Sequence, residues 1–297
     1  MTHSFIYHNG QLRSAADDCL RPGQVGLMNG WGVFSTIKVI DGALFAFPRH
    51  WARMNRDAEL LRVGFPWSPA QLEAELLRLV EANLAHNSTM RVCVIRNRGG
   101  MWESPGLDRD LDLIAFTADR KDWGGPCRLG IVPNARFAAN PFSGAKITAW
   151  SLNLTYFEQA QVRGLDEVIL LNERQEVSEC TSANIFAIFP SPSGATVLTP
   201  PLSAGCLPGI TRELLLEVIR VPGITVREHT LALDDLQRAA GLFISSSTRA
   251  LLPVSEVEGL SIQTESHVTS ALLQAYLQYE QDYLKLPSVR RAQTPAG

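Results

Sequence analysis

The sequence of 297 residues contains no apolar run approaching the roughly 18 residues that a membrane-crossing helix needs. Its first residues, Met1-Thr2-His3-Ser4-Phe5, lack the basic segment and apolar core of a secretory signal. An excess of charge of either sign is also missing. The formal net charge of −3 gives no electrostatic reason to expect nucleic acid or an anionic membrane as partner. The five cysteines (19, 93, 127, 180 and 206) are odd in number and scattered, without CxxC spacing. They read as reduced thiols of a cytoplasmic protein. The six histidines lack metal-ligand spacing and no HExxH occurs, so no metal site is expected. Neither a GxSxG elbow nor a GxxxxGK[ST] phosphate loop is present, and no repeat recurs at a fixed period.

What remains is the composition of a globular protein, 45% hydrophobic and 19% charged, long enough for two domains. Asn9-Gly10 and Asp41-Gly42 each separate two strand-like runs and predict hairpins. Pro48 opens a helix through Leu61, and Ser68-Pro69-Ala70-Gln71 opens another. The polar stretch 117–126, with Gly124-Gly125-Pro126, reads as a linker. It divides an amino-terminal domain (1–120) from a larger one (127–297). In the latter, strands are expected at 127–132, 167–171 and 184–189, and helices near 153–163, 210–220 and 267–285. A disordered basic tail should follow. Strands and helices interleave without a βαβ rhythm, so the fold class is α+β.

Three segments carry chemistry. Lys146 lies in Pro141-Phe142-Ser143-Gly144-Ala145-Lys146-Ile147, among small and apolar residues that favour the neutral amine a carbonyl partner requires. Glu179 follows Glu176-Val177-Ser178 in an expected turn and precedes Cys180-Thr181-Ser182-Ala183-Asn184. Gly209-Ile210-Thr211-Arg212 starts a helix whose free amides and dipole suit an anion, with Gly209 permitting close approach and Thr211 adding a hydroxyl. An amine for an aldehyde, a carboxylate for a pyridine nitrogen and a helix start for a phosphate together match the three groups of pyridoxal 5′-phosphate (PLP). Ser245-Ser246-Ser247-Thr248 and Arg53 could add anion contacts. The GxxxGxG run at Gly26, Gly30 and Gly32 precedes a strand, whereas a dinucleotide fingerprint must follow one.

Taken in order, Gly30-Trp31-Gly32-Val33-Phe34, His50-xx-Arg53, Lys146, Gly164-Leu165-Asp166-Glu167, Glu179-xxxx-Asn184, Leu207-Pro208-Gly209-Ile210-Thr211-Arg212 and Ser247-Thr248-xxxx-Pro253-Val254 resemble the class IV aminotransferases. That family comprises the branched-chain and D-amino-acid types and also aminodeoxychorismate lyase. The resemblance covers about three quarters of the chain. It implies a small α/β amino-terminal domain, a larger carboxy-terminal pseudo-barrel domain, PLP in the cleft between them, and a homodimer. By resemblance Lys146 is the Schiff-base lysine and proton shuttle, and Glu179 partners the pyridine nitrogen. Arg53, Ile210, Thr211 and Ser247 hold the phosphate, and the turn Ser247-Thr248-Arg249 meets the substrate carboxylate. The implied reaction moves an amino group between an amino acid and a 2-oxo acid, with Phe34 and Trp31 suiting branched-chain or aromatic side chains. Asn29, Ser151 and Arg249 depart from the family pattern on the substrate side. Arg96, Arg98 and above all Arg249 are candidates for a second carboxylate. The alternative reading is the lyase, which expels pyruvate and makes 4-aminobenzoate; Arg249 in place of its usual asparagine counts against it.

Overall fold

A computed structural model describes residues 1–21, 23–100, 107–192, 194–263 and 267–293. The chain divides into two compact units. One holds Met1–Asp122, Ala145–Trp150 and the described residues from Asp282 on; the other holds Trp123–Gly144 and Ser151–Gln281.

The first unit contains β1 (Thr2–His8), β2 (Gln11–Ser14), α1 (Val25–Asn29), β3 (Gly32–Ile40), β4 (Ala43–Leu44), α2 (Phe47–Leu60), α3 (Pro69–Ala82), β5 (Ser88–Arg96) and β6 (Leu111–Asp119). Its strands form one sheet in the order β2-β1-β6-β5-β3-β4. Both expected hairpin turns form. Asn9 and Gly10 (φ 47° and 86°) and Asp41 and Gly42 (φ 48° and 77°) adopt the left-handed backbone that two-residue hairpins require. Ser68 and Gln71 close a reciprocal capping box at the start of α3. The linker begins later than expected, because 117–119 finish β6 as paired strand.

Side chains alternate across this sheet. One face (Ile37, Val39, Met90, Val92, Val94, Leu113, Ala115) is buried under Met54 and Ala58 of α2 and Leu72, Leu76, Leu79 and Val80 of α3. Each such Leu or Met contributes about 2 kcal/mol by leaving water. The register Phe34↔Cys93 and Thr36↔Arg91, then Cys93↔Ile114 and Arg91↔Phe116, sets those six residues on the opposite face.

Residues 145–150 were expected with the second domain but group with the first unit. The cause is a strand-like pairing: Ile147 bridges Val33, the Phe34 amide donates to the Lys146 carbonyl (3.0 Å), and the Thr148 amide donates to the Gly32 carbonyl (2.9 Å). Gly30 permits this approach, since a Cβ there would lie 2.8 Å from the Ala149 backbone. The tail also departs from expectation. The Ala292 amide donates to Gly42 (3.0 Å), the Gln293 amide to the Glu81 carboxylate (2.9 Å), and Ala292 is buried in the first core. Paired backbone and a buried methyl hold residues 285–293 in place; 294–297 lie outside the described residues.

The second unit contains β7 (Cys127–Arg136), α4 (Ser151–Val162), β8 (Glu167–Asn172), β9 (Val177–Cys180), β10 (Asn184–Ser191), β11 (Gly194–Thr199), α5 (Ile210–Glu217), β12 (Ile224–Glu228), α6 (Leu233–Arg238), β13 (Gly241–Ser246), β14 (Ala250–Val257), β15 (Leu260–Ser261) and most of α7 (His267–Leu284). The strand order is β12-β11-β10-β13-β14-β7-β8-β9, with β15 on β14. Parallel pairings (β11 with β12, β14 with β7, β7 with β8) mix with antiparallel ones, as an α+β fold predicts. β9 ends the order, yet residues 181–183 lead it directly to β10, where the Cys180 amide donates to Ala183 (2.8 Å). The sheet must therefore curl, and its inner side holds Ile169, Leu171, Ile185, Ala187, Ile244 and Val254. This is the pseudo-barrel. Glu179 stands on β9 and not in a turn; all four residues of β9 are buried, so no polar alternation marks the strand in the sequence. All five cysteines are free thiols, and burial pushes those of Cys127 and Cys206 up to about 12. Among the described residues no helix is long and apolar enough to cross a membrane.

Asp112, fully buried on β6, accepts from His8 (2.8 Å), Asn9 (2.5 Å), Asn97 (3.0 Å), Arg109 (2.5 Å) and Gln24. Burial alone would raise its carboxyl, but the donors, His8 foremost, hold it well below the usual range. A folded-state pKa below the unfolded one stabilises the fold above about pH 4 and loses that stabilisation as pH falls. Asp112→Ala is expected to cost about 3 kcal/mol in urea unfolding at pH 7 and to flatten the acid limb of the melting temperature below about pH 4.

Candidate active site

In the first unit the site is built on β3 and α2. Ser35, on the helix-facing side of β3, meets two residues one turn apart on α2: His50 Nδ1 at 2.7 Å and Arg53, which donates to the Ser35 hydroxyl at 3.0 Å. All three are buried. Burial, and then the Arg53 and Lys146 cations, hold the His50 imidazole well below its usual pKa, hence neutral. One turn further along α2, buried Asp57 accepts the Lys146 backbone amide (3.0 Å). With its carbonyl on Phe34, the backbone of Lys146 is thus held on both sides. Its Nζ lies 4.6 Å from the Phe34 ring centre and 5.9 Å from that of Trp150. Phe34 and Trp150 meet edge to face at 6.0 Å.

In the second unit, Glu179 Oε1 accepts from Arg136 at 3.1 Å and Oε2 from the Leu207 amide at 3.0 Å. Arg136 reaches on to Asn153 (3.3 Å), whose amide donates to the Thr181 carbonyl (2.6 Å). A guanidinium and an amide fix the direction of this buried carboxylate. Gly209 precedes α5 with no side-chain cap, leaving the Ile210 and Thr211 amides without partners inside the helix. A Cβ on Gly209 would fall 2.1 Å from Asn184 Oδ1, and Asn184 in turn donates to the Leu207 carbonyl (2.8 Å). Ser245, opposite Asn184 across β10 and β13, is buried with a hydroxyl that has no partner. Ser247 and Thr248 are half-buried in the β13–β14 turn, with the Thr248 hydroxyl 3.4 Å from that of Ser246. The Thr211 hydroxyl bonds buried Tyr276, so of Thr211 the amide remains for an anion.

Several substrate-side expectations shift. Asn29 is exposed and its side chain donates to the Val25 carbonyl of its own helix (3.0 Å), which caps the turn and keeps the amide from a ligand. Arg249 is buried. Its guanidinium donates to Ser182 Oγ (3.0 Å), pairs with buried Glu167 (3.4 Å) and stacks 3.7 Å from the Trp123 ring centre. Thr181 and Ser182 fill the remaining sites of Glu167. Arg249 is thereby a structural cation, and its backbone amide donates to the Ser246 hydroxyl (3.2 Å). Arg96 donates to the Arg98 and Arg62 carbonyls (2.6 and 3.0 Å) and Arg98 to that of Leu107 (2.6 Å), so both brace loops. Trp31 packs in the first core and donates to the Leu61 carbonyl (2.8 Å), a packing role. Sequence reasoning passed over Asp57, Arg136 and Arg91. The last sits 4.4 Å from the Phe34 ring centre, beside Lys146 on the same ring, and only strand register could have revealed it.

A family profile described as amino-transferase class IV matches residues 32–257. The branched-chain-amino-acid aminotransferase of Mycolicibacterium smegmatis is 27% identical over 85% of this chain and 75% of its own. The D-alanine aminotransferase of Bacillus licheniformis is 25% identical over 86% and 89%. Among solved structures, the Escherichia coli branched-chain amino acid aminotransferase superposes with a TM-score of 0.86 at 22% identity, covering 98% of this chain and 100% of its own. A Legionella pneumophila protein assigned as a 4-amino-4-deoxychorismate lyase gives 0.80 at 22% identity, covering 90% and 97%.

The Gly209–Asn184 contact is testable by a double-mutant cycle. Gly209→Ala should cost about 2 kcal/mol in urea unfolding in the native background, and clearly less once Asn184→Ala has removed the obstructing oxygen. Equal costs in both backgrounds would refute the contact.

Proposed function

The chain belongs to the class IV aminotransferase family, whose cofactor is PLP, and from that we propose that it exchanges an amino group between a hydrophobic amino acid, branched-chain ones foremost, and a 2-oxo acid. The observation that carries this reading is the placement of Lys146: a backbone pinned on both sides, and an amine over the Phe34 ring. The substrate preference rests on the apolar wall of Phe34 and Trp150 and on the named relatives.

Bound PLP supplies an electron sink for the pair left when the substrate α-carbon loses its proton. The residues do the rest. Lys146 would hold the cofactor's aldehyde through its amine and, once freed, would serve as the base that moves the substrate α-proton. Glu179, oriented by Arg136 and the Leu207 amide, would face the cofactor's pyridine nitrogen. Arg53 and the amides of Ile210 and Thr211, with Ser247, would take the phosphate, and Gly209 gives it room. The Ser247-Thr248-Arg249 turn would receive the substrate carboxylate through the Ser247 and Thr248 amides, since that of Arg249 donates to Ser246. The partner-less Ser245 hydroxyl fits a site with anions to satisfy. A homodimer in the cytoplasm belongs to the same reading, and light scattering tests the first part.

Only four lysines occur in the chain (38, 121, 146 and 285), which makes the anchor easy to map. Borohydride reduction of the PLP-loaded protein should fix the cofactor to the peptide carrying Lys146. Lys146→Ala should abolish that label and lower the amino transfer from L-leucine by about four orders of magnitude. Label on another lysine would overturn the assignment. Pyruvate release from aminodeoxychorismate, with no transfer from L-leucine, would make the protein a lyase.

A further inference from the structure

The connection between β13 and β14 is a three-residue loop, 247–249, closed by the pair Ser246↔Ala250. Ala250 lies in the left-handed region (φ 53°), where hairpins of this kind usually place glycine. A side chain there strains the backbone, and such strain persists only where the surroundings fix it. Arg249 supplies the fixing groups. Its guanidinium is paired with Glu167 at 3.4 Å, donates to the Ser182 carbonyl (3.2 Å) and hydroxyl (3.0 Å), and lies 3.7 Å from the Trp123 ring centre. Glu167 in turn accepts the Thr181 amide (3.2 Å) and the Ser182 hydroxyl (2.7 Å), so the partners of the guanidinium are themselves held. The Arg249 backbone amide donates to the Ser246 hydroxyl (3.2 Å), which sits 3.4 Å from that of Thr248. One residue thus fixes the loop through both its side chain and its backbone. Among the described residues the two amides it leaves over, those of Ser247 and Thr248, donate to no other group of the chain.

We propose that Arg249 is a positioning residue, which holds the Ser247 and Thr248 amides in the direction that a substrate carboxylate needs. The inference deepens the reading of this turn as the carboxylate receiver and rests on it. Two neutral N–H groups grip an anion well only when they are aimed at it beforehand, because ordering the loop at the moment of binding costs affinity. Arg249 does that ordering in advance. Its own charge is spent on Glu167, so it acts on the substrate through the backbone of the loop and not as an ion.

The test uses the PLP-loaded enzyme and the two halves of L-leucine: 4-methylpentanoate, which keeps the carboxylate, and 3-methylbutylamine, which keeps the amine. Arg249→Met alone would strand the buried charge of Glu167, so it is combined with Glu167→Gln, and circular dichroism reports folding. In the wild type, 4-methylpentanoate should slow amide exchange across residues 246–250. Failure to do so would overturn the reading of the turn, and the proposal with it. In the double variant 4-methylpentanoate should bind about 10-fold more weakly and the KM for L-leucine should rise with it, while 3-methylbutylamine, followed by the cofactor's absorption, binds as before. Arg249→Lys keeps the charge without the fork and should fall between the two. If the wild-type turn is protected by the acid but the folded double variant binds both ligands as the wild type does, the amides hold themselves and Arg249 has no such role. Equal weakening of both ligands would make Arg249 a plain core residue and would equally overturn the proposal.

Discussion

The pairing of residues 145–150 with the edge of β3 is the constraint on which the chemistry depends. A lysine side chain has four rotatable bonds, so its amine is only as well placed as its backbone. Here the backbone carbonyl is fixed by Phe34 of the sheet and the amide by Asp57 of α2, while Ile147 and Thr148 continue the pairing to Val33 and Gly32. The same stretch of β3 presents Ser35 to Arg53 and His50 behind the sheet and Phe34 to the Lys146 amine in front. One strand therefore positions the Lys146 amine, the Arg53 guanidinium and the Phe34 ring. None of these groups can shift without disturbing the others.

The arginines show how placement decides role. Arg136 orients a functional carboxylate, Arg53 sits behind the sheet with a hydroxyl and a neutral imidazole, and Arg249 neutralises Glu167 in the second core. Buried guanidinium–carboxylate pairs such as the last are expensive to desolvate and do not by themselves make a protein stable. Their geometric demand is the useful property. Arg249 ties the β13–β14 turn to β8 and to the loop after β9, so the turn bearing Ser247 and Thr248 is held from behind.

Legibility in the sequence followed the range of the interactions. The hairpins at Asn9-Gly10 and Asp41-Gly42, the capping box at Ser68 and the helix start after Gly209 rest on contacts within four residues, and the residue types alone announced them. Lys146, Glu179 and the α5 amides were singled out as a set because PLP demands three dissimilar groups. What stayed hidden was set by distant partners. β9 is buried on both faces and shows no alternation. The pairing of Ile147 with Val33 spans more than a hundred residues. Arg249 was favoured for its nearness to a turn, but the residues that claim it, Glu167, Ser182 and Trp123, come from elsewhere in the second unit. The place of Arg91 beside the Phe34 ring is likewise set by strand register and not by its neighbours in sequence.

The order in which the first unit acquires its pieces has a consequence for synthesis. Its sheet and helices are encoded before residue 123, yet the strand bearing Lys146 comes later and the segment that buries Ala292 against Gly42 comes at the very end. During translation the second unit, through Gln281, is complete while the first still lacks the segment from Asp282 on. The half of the protein that is made first is the half that is finished last, and a chain cut short before Ala292 leaves the older core uncovered at the β3–β4 hairpin.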